Sequence, residues 1–105
     1  MQRGAILPQG FIRIISRPPG GAPDKIRDQW IGLVLPIEQE TDVLLADVLT
    51  YKLVPSHRGG YEVLWDSAMN ELGKHSPEAR KWWEENVSGF STLVFSRDCC
   101  ELLAD

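Results

Sequence analysis

Prolines and glycines divide the sequence into short apolar segments, and this spacing most restricts how the chain can fold. The clearest segment, Phe11–Arg17, is rich in β-branched residues and ends at the prolines and glycines of Pro18–Gly21. It predicts a strand with two core-facing isoleucines, Ile12 and Ile14. The opposite face then carries Phe11, Arg13, Ile15 and Arg17. The segment Arg17–Asp24 holds three prolines and two glycines, so it predicts a long surface loop.

Three further segments extend the pattern of strands and turns. Gln29–Ile37 is almost continuously apolar and predicts a second strand, with Glu38–Asp42 as a polar turn after it. Strong turn residues separate Leu49–Val54 from Tyr61–Trp65, so we expect these two segments to be the arms of a β-hairpin. Val43–Val48 fits either one turn of an amphipathic helix or a strand, and both alternatives stay open.

The clearest helix signal follows the hairpin. Ser76 is a favourable N-cap and Pro77 a favourable first helical residue, which predicts a helix over residues 77–86. Its apolar stripe consists of Ala79, Trp82, Trp83 and Val87. Before it, Asp66 is expected to cap a short turn through Leu72 that ends at Gly73. After it, we expect a strand over Thr92–Phe95, a turn, and a short final strand or 3₁₀ turn over Cys99–Leu103.

These elements predict one small domain over residues 1–105, mainly β, with a helical insertion at about 66–88. The expected architecture is a small barrel or a strongly bent antiparallel sheet of about five strands plus one helix at 77–86. Gly32 and Gly60 stand where a small sheet would need to curl.

The order of features resembles that of SH3-like small barrels. The resemblance rests on an opening strand (Gly10–Ile14), a long loop (Pro18–Pro23), a Trp30–Val34 strand and two closing segments, Leu93–Phe95 and Glu101–Leu103. The helical insertion departs from the usual plan of that superfamily. The loop also has no aromatic residue, so binding of proline-rich peptides cannot be carried over from it.

Charge is distributed unevenly along a mildly acidic chain. Residues 1–35 carry five basic and two acidic side chains, whereas residues 36–105 carry six and thirteen. Folding could mix the two signs into an ordinary solvated surface. The alternative is a basic face for a protein partner, built from Arg13, Arg17, Lys25 and Arg27. Binding of nucleic acid is disfavoured by the net charge of −4 and the isoelectric point near 5.1.

Tryptophan provides the second set of candidate binding residues. The chain has four tryptophans, whose large apolar rings suit either a small core or an anchor at an interface. Trp82 and Trp83 are adjacent on the expected helix, so they diverge by about 100°. We expect both in the core or at its edge, with exposure of one of them as the alternative. Trp30, Trp82 and Trp83 complete the list of predicted binding residues.

Catalysis, metal binding and cofactor binding find little support. The two cysteines, Cys99 and Cys100, are adjacent, which excludes a structural disulfide framework and indicates a reducing compartment. One of the two is expected in the core. They lack the spacing of metal ligands, and His57 and His75 lie eighteen residues apart with no ligand motif. No catalytic residue, metal site or cofactor is therefore expected.

The sequence predicts a non-enzymatic protein-interaction module, soluble and cytoplasmic, with no secretory signal and no membrane span. The partner would meet the basic N-terminal face or the tryptophan-bearing helix. The alternative is a small enzyme or enzyme subunit that uses His57 and carboxylates for acid–base chemistry. A homodimer through an edge strand around Val43–Val54 is a further expectation.

Overall fold

Six short strands form two antiparallel sheets in the computed structural model, which describes residues 10–41, 59–87 and 89–103. The first sheet has the order β2-β1-β6 and the second the order β3-β4-β5. The strands are β1 (Phe11–Ile14), β2 (Val34–Pro36), β3 (Gln39–Thr41), β4 (Gly60–Leu64), β5 (Thr92–Ser96) and β6 (Cys100–Leu103). The helices are α1 (Asp24–Arg27), α2 (Trp65–His75) and α3 (Pro77–Asn86), with 3₁₀ turns at Asp28–Trp30 and Arg97–Cys99.

The expectation of a mainly β fold with one helix is wrong. Of the described residues, 41% are helical and 31% lie in strands, and neither sheet closes into a barrel, so the fold is mixed α and β. The main cause is the insertion between β4 and β5, which forms two helices instead of a short turn and one helix. Asp66 lies inside the first turn of α2 and does not cap it.

Gly73 does not end α2, which continues to His75, and the neighbouring helix α3 approaches closely at this position. A Cβ atom on Gly73 would lie 2.7 Å from Cδ of Arg80. Gly73 therefore provides space between the helices, although glycine in a helix costs about 1 kcal/mol relative to alanine. The helix ends instead at Ser76, whose backbone N–H donates to the Leu72 carbonyl at 2.6 Å.

The helix predicted over 77–86 is confirmed with its bounds and its cap. Ser76 has extended backbone angles, and its Oγ accepts a hydrogen bond from the Ala79 N–H at 3.2 Å. This bond satisfies one of the free N–H groups in the first turn of α3. The strand predicted over Thr92–Phe95 is also confirmed, as β5.

The other local predictions hold only in part. The expected strand Gln29–Ile37 forms a strand only over Val34–Pro36, since its first residues complete a 3₁₀ turn. The expected polar turn Glu38–Asp42 contains the edge strand β3 instead. Tyr61–Leu64 is a strand as predicted, but it pairs with β3 and β5, and Trp65 begins α2. The segments Val43–Val48 and Leu49–Val54 lie outside the described residues.

The chain passes between the two sheets at two places. Ile37 and Glu38 separate β2 from β3. The Ile37 N–H donates to the carbonyl of Gly10, just before β1, and the Glu38 N–H donates to the carbonyl of Glu62 in the second sheet. The 3₁₀ turn Arg97–Cys99 connects β5 to β6. The two sheets are therefore joined by short, hydrogen-bonded connections.

The core lies between the sheets and the helices. Ile12 and Ile14 are fully buried, which confirms the predicted inward face of β1. Trp30 forms edge-to-face contacts with Trp83 of α3 and Phe95 of β5, with ring centroids 5.8 Å and 5.2 Å apart. Such aromatic pairs contribute about 0.5–1.5 kcal/mol beyond their burial, so they fix α3 to the second sheet. No helix of the described residues is long and apolar enough to span a membrane.

Candidate functional site

The predicted basic residues are held by carboxylates. Arg17 forms a two-point contact with Asp28, at 2.6 Å from Nε and 3.1 Å from Nη2, and also pairs with Asp24. The hydrogen bond between Arg17 and Asp28 raises the pKa of the Arg17 guanidinium and lowers the pKa of the Asp28 carboxyl. Arg27 pairs with the same Asp24. These contacts attach the loop before α1 to that helix and to the following 3₁₀ turn.

Arg27 has a further structural role in the loop. Its guanidinium donates hydrogen bonds to the backbone carbonyls of Ala22 at 2.9 Å and Pro18 at 3.0 Å. Prolines at 18, 19 and 23 provide no N–H donors of their own, so a side chain supplies hydrogen bonds to the carbonyls of this loop. The side chain of Arg27 is only 17% exposed, which leaves little of it for a partner.

The other two basic residues are also paired, in different parts of the molecule. Arg13 on β1 contacts Glu101 on β6 at 3.0 Å, and Lys25 contacts Glu78 of α3 at 3.6 Å. Each of the four predicted basic residues thus lies beside an acidic side chain. The structure brings Arg17 and Arg27 together around Asp24 and forms ion pairs at the positions where the sequence suggested an unpaired basic face.

The predicted tryptophans occupy the core more than the surface. Trp30 and Trp83 are fully buried. Within the described part of the chain, their indole N–H groups have no hydrogen-bond partner, and a buried donor left without one costs about 1–3 kcal/mol. Trp82 is half-buried and packs edge-to-face on Trp83 at 5.3 Å. The prediction that both residues of this pair lie in the core or at its edge is confirmed.

A surface that the sequence analysis did not single out is the apolar side of the first sheet. All the large hydrophobic residues that are exposed among the described residues lie on this sheet or directly beside it: Phe11, Ile15, Ile31, Val34 and Leu102. Their exposed fractions run from 39% at Val34 to 53% at Leu102. Phe11, Ile15 and Val34, with Ile31 in the neighbouring turn, form what we call the outer sheet surface. Leu102 is opposite the buried Ile12, so it lies on the other face of the sheet. A contiguous exposed apolar patch is typical of an interaction site.

Strand register explains how this surface arises. Ile12 and Leu35 are opposite each other and buried, so the alternate residues Phe11 and Val34 point outward. Ile15 continues the outward alternation of β1 just beyond its end. Ile31 lies in the turn before β2. The sequence did contain a signal, because Phe11 and Ile15 were assigned to the outward face.

Arg13 and Glu101 lie within this surface. Arg13 is opposite Val34 on one side and opposite Glu101 on the other. Both ionic side chains are about half exposed, at 48% and 53%. The outer sheet surface therefore combines apolar side chains with one positive and one negative group in direct contact. Of the seven predicted binding residues, only Arg13 lies within the outer sheet surface.

The described histidines, cysteines and carboxylates do not gather into a metal site. No group of three or more His, Cys, Asp or Glu side chains in residues 10–41, 59–87 and 89–103 could hold a metal ion. His75 is exposed at the end of α2, and His57 lies outside the described residues. Cys99 and Cys100 are both buried free thiols, whereas only one was expected in the core.

No family model, curated protein or solved structure matches the chain. The resemblance to SH3-like barrels stays a prediction, because nothing in the two small sheets is diagnostic of that superfamily. A fold by itself does not assign a function.

Proposed function

We propose that the chain is a non-enzymatic protein-interaction module, and that its partner at the outer sheet surface is a second copy of the chain. The observation that carries the proposal is that, among the described residues, the exposed large hydrophobic side chains all lie on or directly beside one sheet, most of them on its outer face. A cytoplasmic location is part of the proposal, supported by two free thiols, which persist in a reducing compartment.

The charge arrangement supports a second copy as the partner. In a twofold-symmetric dimer the same patch meets itself, so the patch must be complementary to its own image. Arg13 and Glu101 lie side by side on neighbouring strands, so a twofold rotation can place each arginine against the glutamate of the second copy. A patch with one sign of charge would repel its image, and this patch has both signs.

Forming ion pairs between Arg13 and Glu101 of two copies costs the isolated chain little free energy. An exposed ion pair contributes only about 0–1 kcal/mol to the isolated chain, so Arg13 and Glu101 lose little when each also contacts the second copy. The driving force comes from the apolar side chains, at roughly 25 cal/mol for each Å² removed from water. Specific stable interfaces bury roughly 800 Å² per partner, and weaker transient ones bury less.

The outer sheet surface differs from the other binding surfaces that the sequence predicted. The edge-strand dimer around Val43–Val54 lies outside the described residues. Arg17, Lys25 and Arg27 are paired away from the first sheet, with acidic groups on α1, α3 and the 3₁₀ turn. Among the predicted residues, the proposal therefore rests on Arg13 alone, together with the apolar residues around it.

Val34→Glu tests the proposal against a matched control, Asn70→Glu. Both changes add one negative charge at an exposed position, but Asn70 lies on α2, away from the outer sheet surface. Sedimentation equilibrium over a range of concentrations should show a dimer for the wild type and for Asn70→Glu. Val34→Glu should weaken dimerisation at least about tenfold, which is about 1.4 kcal/mol. A wild-type chain that remains monomeric at millimolar concentration would contradict the second copy as partner.

A further inference from the structure

Cys99 and Cys100 have an arrangement that strand alternation does not predict. Adjacent residues of a strand point to opposite faces, yet the two Sγ atoms are 3.7 Å apart. The reason is their place in the chain: Cys99 ends the 3₁₀ turn and Cys100 begins β6. Both side chains are buried, with exposed fractions of 3% and 9%. The junction between the two elements therefore produces a pair of neighbouring thiols.

The distance between the sulfur atoms suits one kind of bridge better than others. A disulfide requires about 2.05 Å between the sulfurs, so the pair would have to close by more than 1.5 Å. A single atom bound to both sulfurs at about 2.3 Å, with a bent angle of about 90–110°, holds them about 3.3–3.8 Å apart. A linear bridge at the same bond length requires about 4.6 Å.

We propose that Cys99 and Cys100 form a chelating site for one soft, thiol-seeking metal or metalloid atom that binds two thiolates at a bent angle, such as trivalent arsenic. Soft thiolate ligands select soft centres. The observed 3.7 Å falls within the range for a bent bridge. This site is independent of the outer sheet surface and does not rest on the proposed dimer.

Phenylarsine oxide is a suitable probe because its reaction needs no oxidant or reductant. Two As–S bonds form and the bonds between arsenic and oxygen break. Both thiol protons leave with the oxygen as water, and arsenic remains trivalent. Intact-mass spectrometry of the native wild-type chain should show one reagent bound per chain. The adduct should resist an excess of 2-mercaptoethanol and be removed by 2,3-dimercaptopropanol, because only a dithiol can replace a chelate.

Two alanine variants and the thermal midpoint distinguish binding to the thiol pair of the folded chain from binding to adjacent cysteines of an unfolded chain. Cys99→Ala and Cys100→Ala should each lose the adduct in 2-mercaptoethanol. The wild-type thermal midpoint should rise with the reagent, because a ligand of the folded state stabilises that state. A fall in the midpoint would show capture of the unfolded chain and would overturn the proposal. Removal of the adduct from the wild-type chain by 2-mercaptoethanol would also overturn the proposal. This measurement uses only the wild type, so it stands even if a variant fails to fold.

Discussion

Replacing Gly73 by alanine tests the packing of α2 against α3 through two opposing effects. Alanine in a helix interior is favoured over glycine by about 1 kcal/mol. Against this, the new Cβ would lie 2.7 Å from Cδ and 3.1 Å from Nη1 of Arg80, so that side chain must move. Its movement breaks the exposed pair between Arg80 and Glu84, 3.2 Å apart, which is worth about 0.3–0.5 kcal/mol.

The helix preference exceeds the loss of the ion pair, so Gly73→Ala should stabilise the chain by about 0.5 kcal/mol. The same change in an Arg80→Ala background should give the full gain of about 1 kcal/mol, because no side chain then has to move. Urea denaturation followed by circular dichroism measures both values. If Gly73→Ala destabilised the chain by more than about 1 kcal/mol, Arg80 would be fixed in place and this description of the helix contact would be wrong.

Two further predictions concern the α3 cap and the Arg17–Asp28 pair. Ser76→Ala removes the acceptor for the Ala79 N–H and should cost about 1 kcal/mol in urea denaturation, whereas Ser91→Ala, at an exposed position, should change little. The hydrogen bond from Arg17 lowers the pKa of Asp28 in the folded chain. The ionised Asp28 therefore stabilises the folded chain fully at a pH above the unfolded pKa of about 3.9. This stabilisation is lost as the pH falls through the lowered pKa of Asp28 in the folded chain. The difference in unfolding free energy between the wild type and Asp28→Asn should shrink from neutral pH to about pH 2; a constant difference would exclude this linkage.

Local signals in the sequence predict the elements whose determinants are close in the chain. The helix at 77–86 depends on Ser76 and Pro77, which act within one turn. The inward face of β1 follows from the alternation around Ile12 and Ile14. These two features need no knowledge of distant residues, and the structure confirms both.

The failures occur where tertiary contacts override the local pattern. Gly73 has the sequence context of a helix end, yet α2 continues past it to His75, with Arg80 of α3 packed against it. The polar segment Gln39–Thr41 has no apolar alternation, but it forms a strand because its backbone pairs with β4. An apolar run such as Gln29–Ile37 cannot by itself distinguish a strand from a buried turn.

At the candidate site, too, the features set by neighbouring residues could be predicted and those set by tertiary contacts could not. Alternation along β1 predicts that Arg13 is exposed, but not that Glu101, on the last strand of the chain, lies beside it. In the same way, Asp28 neutralises Arg17 across eleven residues through the fold of the loop. Ion pairs between distant residues turned an expected basic face into several neutral pairs, and no single-sequence pattern reveals such pairs.

A mixing experiment with two charge-reversed variants tests the proposed self-association most directly. Arg13→Glu leaves two carboxylates within the outer sheet surface, and Glu101→Arg leaves two guanidinium groups. Each variant alone should be monomeric at concentrations where the wild type dimerises, because like charges then meet across the twofold axis. An equimolar mixture should restore the dimer in sedimentation equilibrium. If both variants dimerise alone as well as the wild type does, or if the mixture stays monomeric, these two residues do not meet across a symmetric interface.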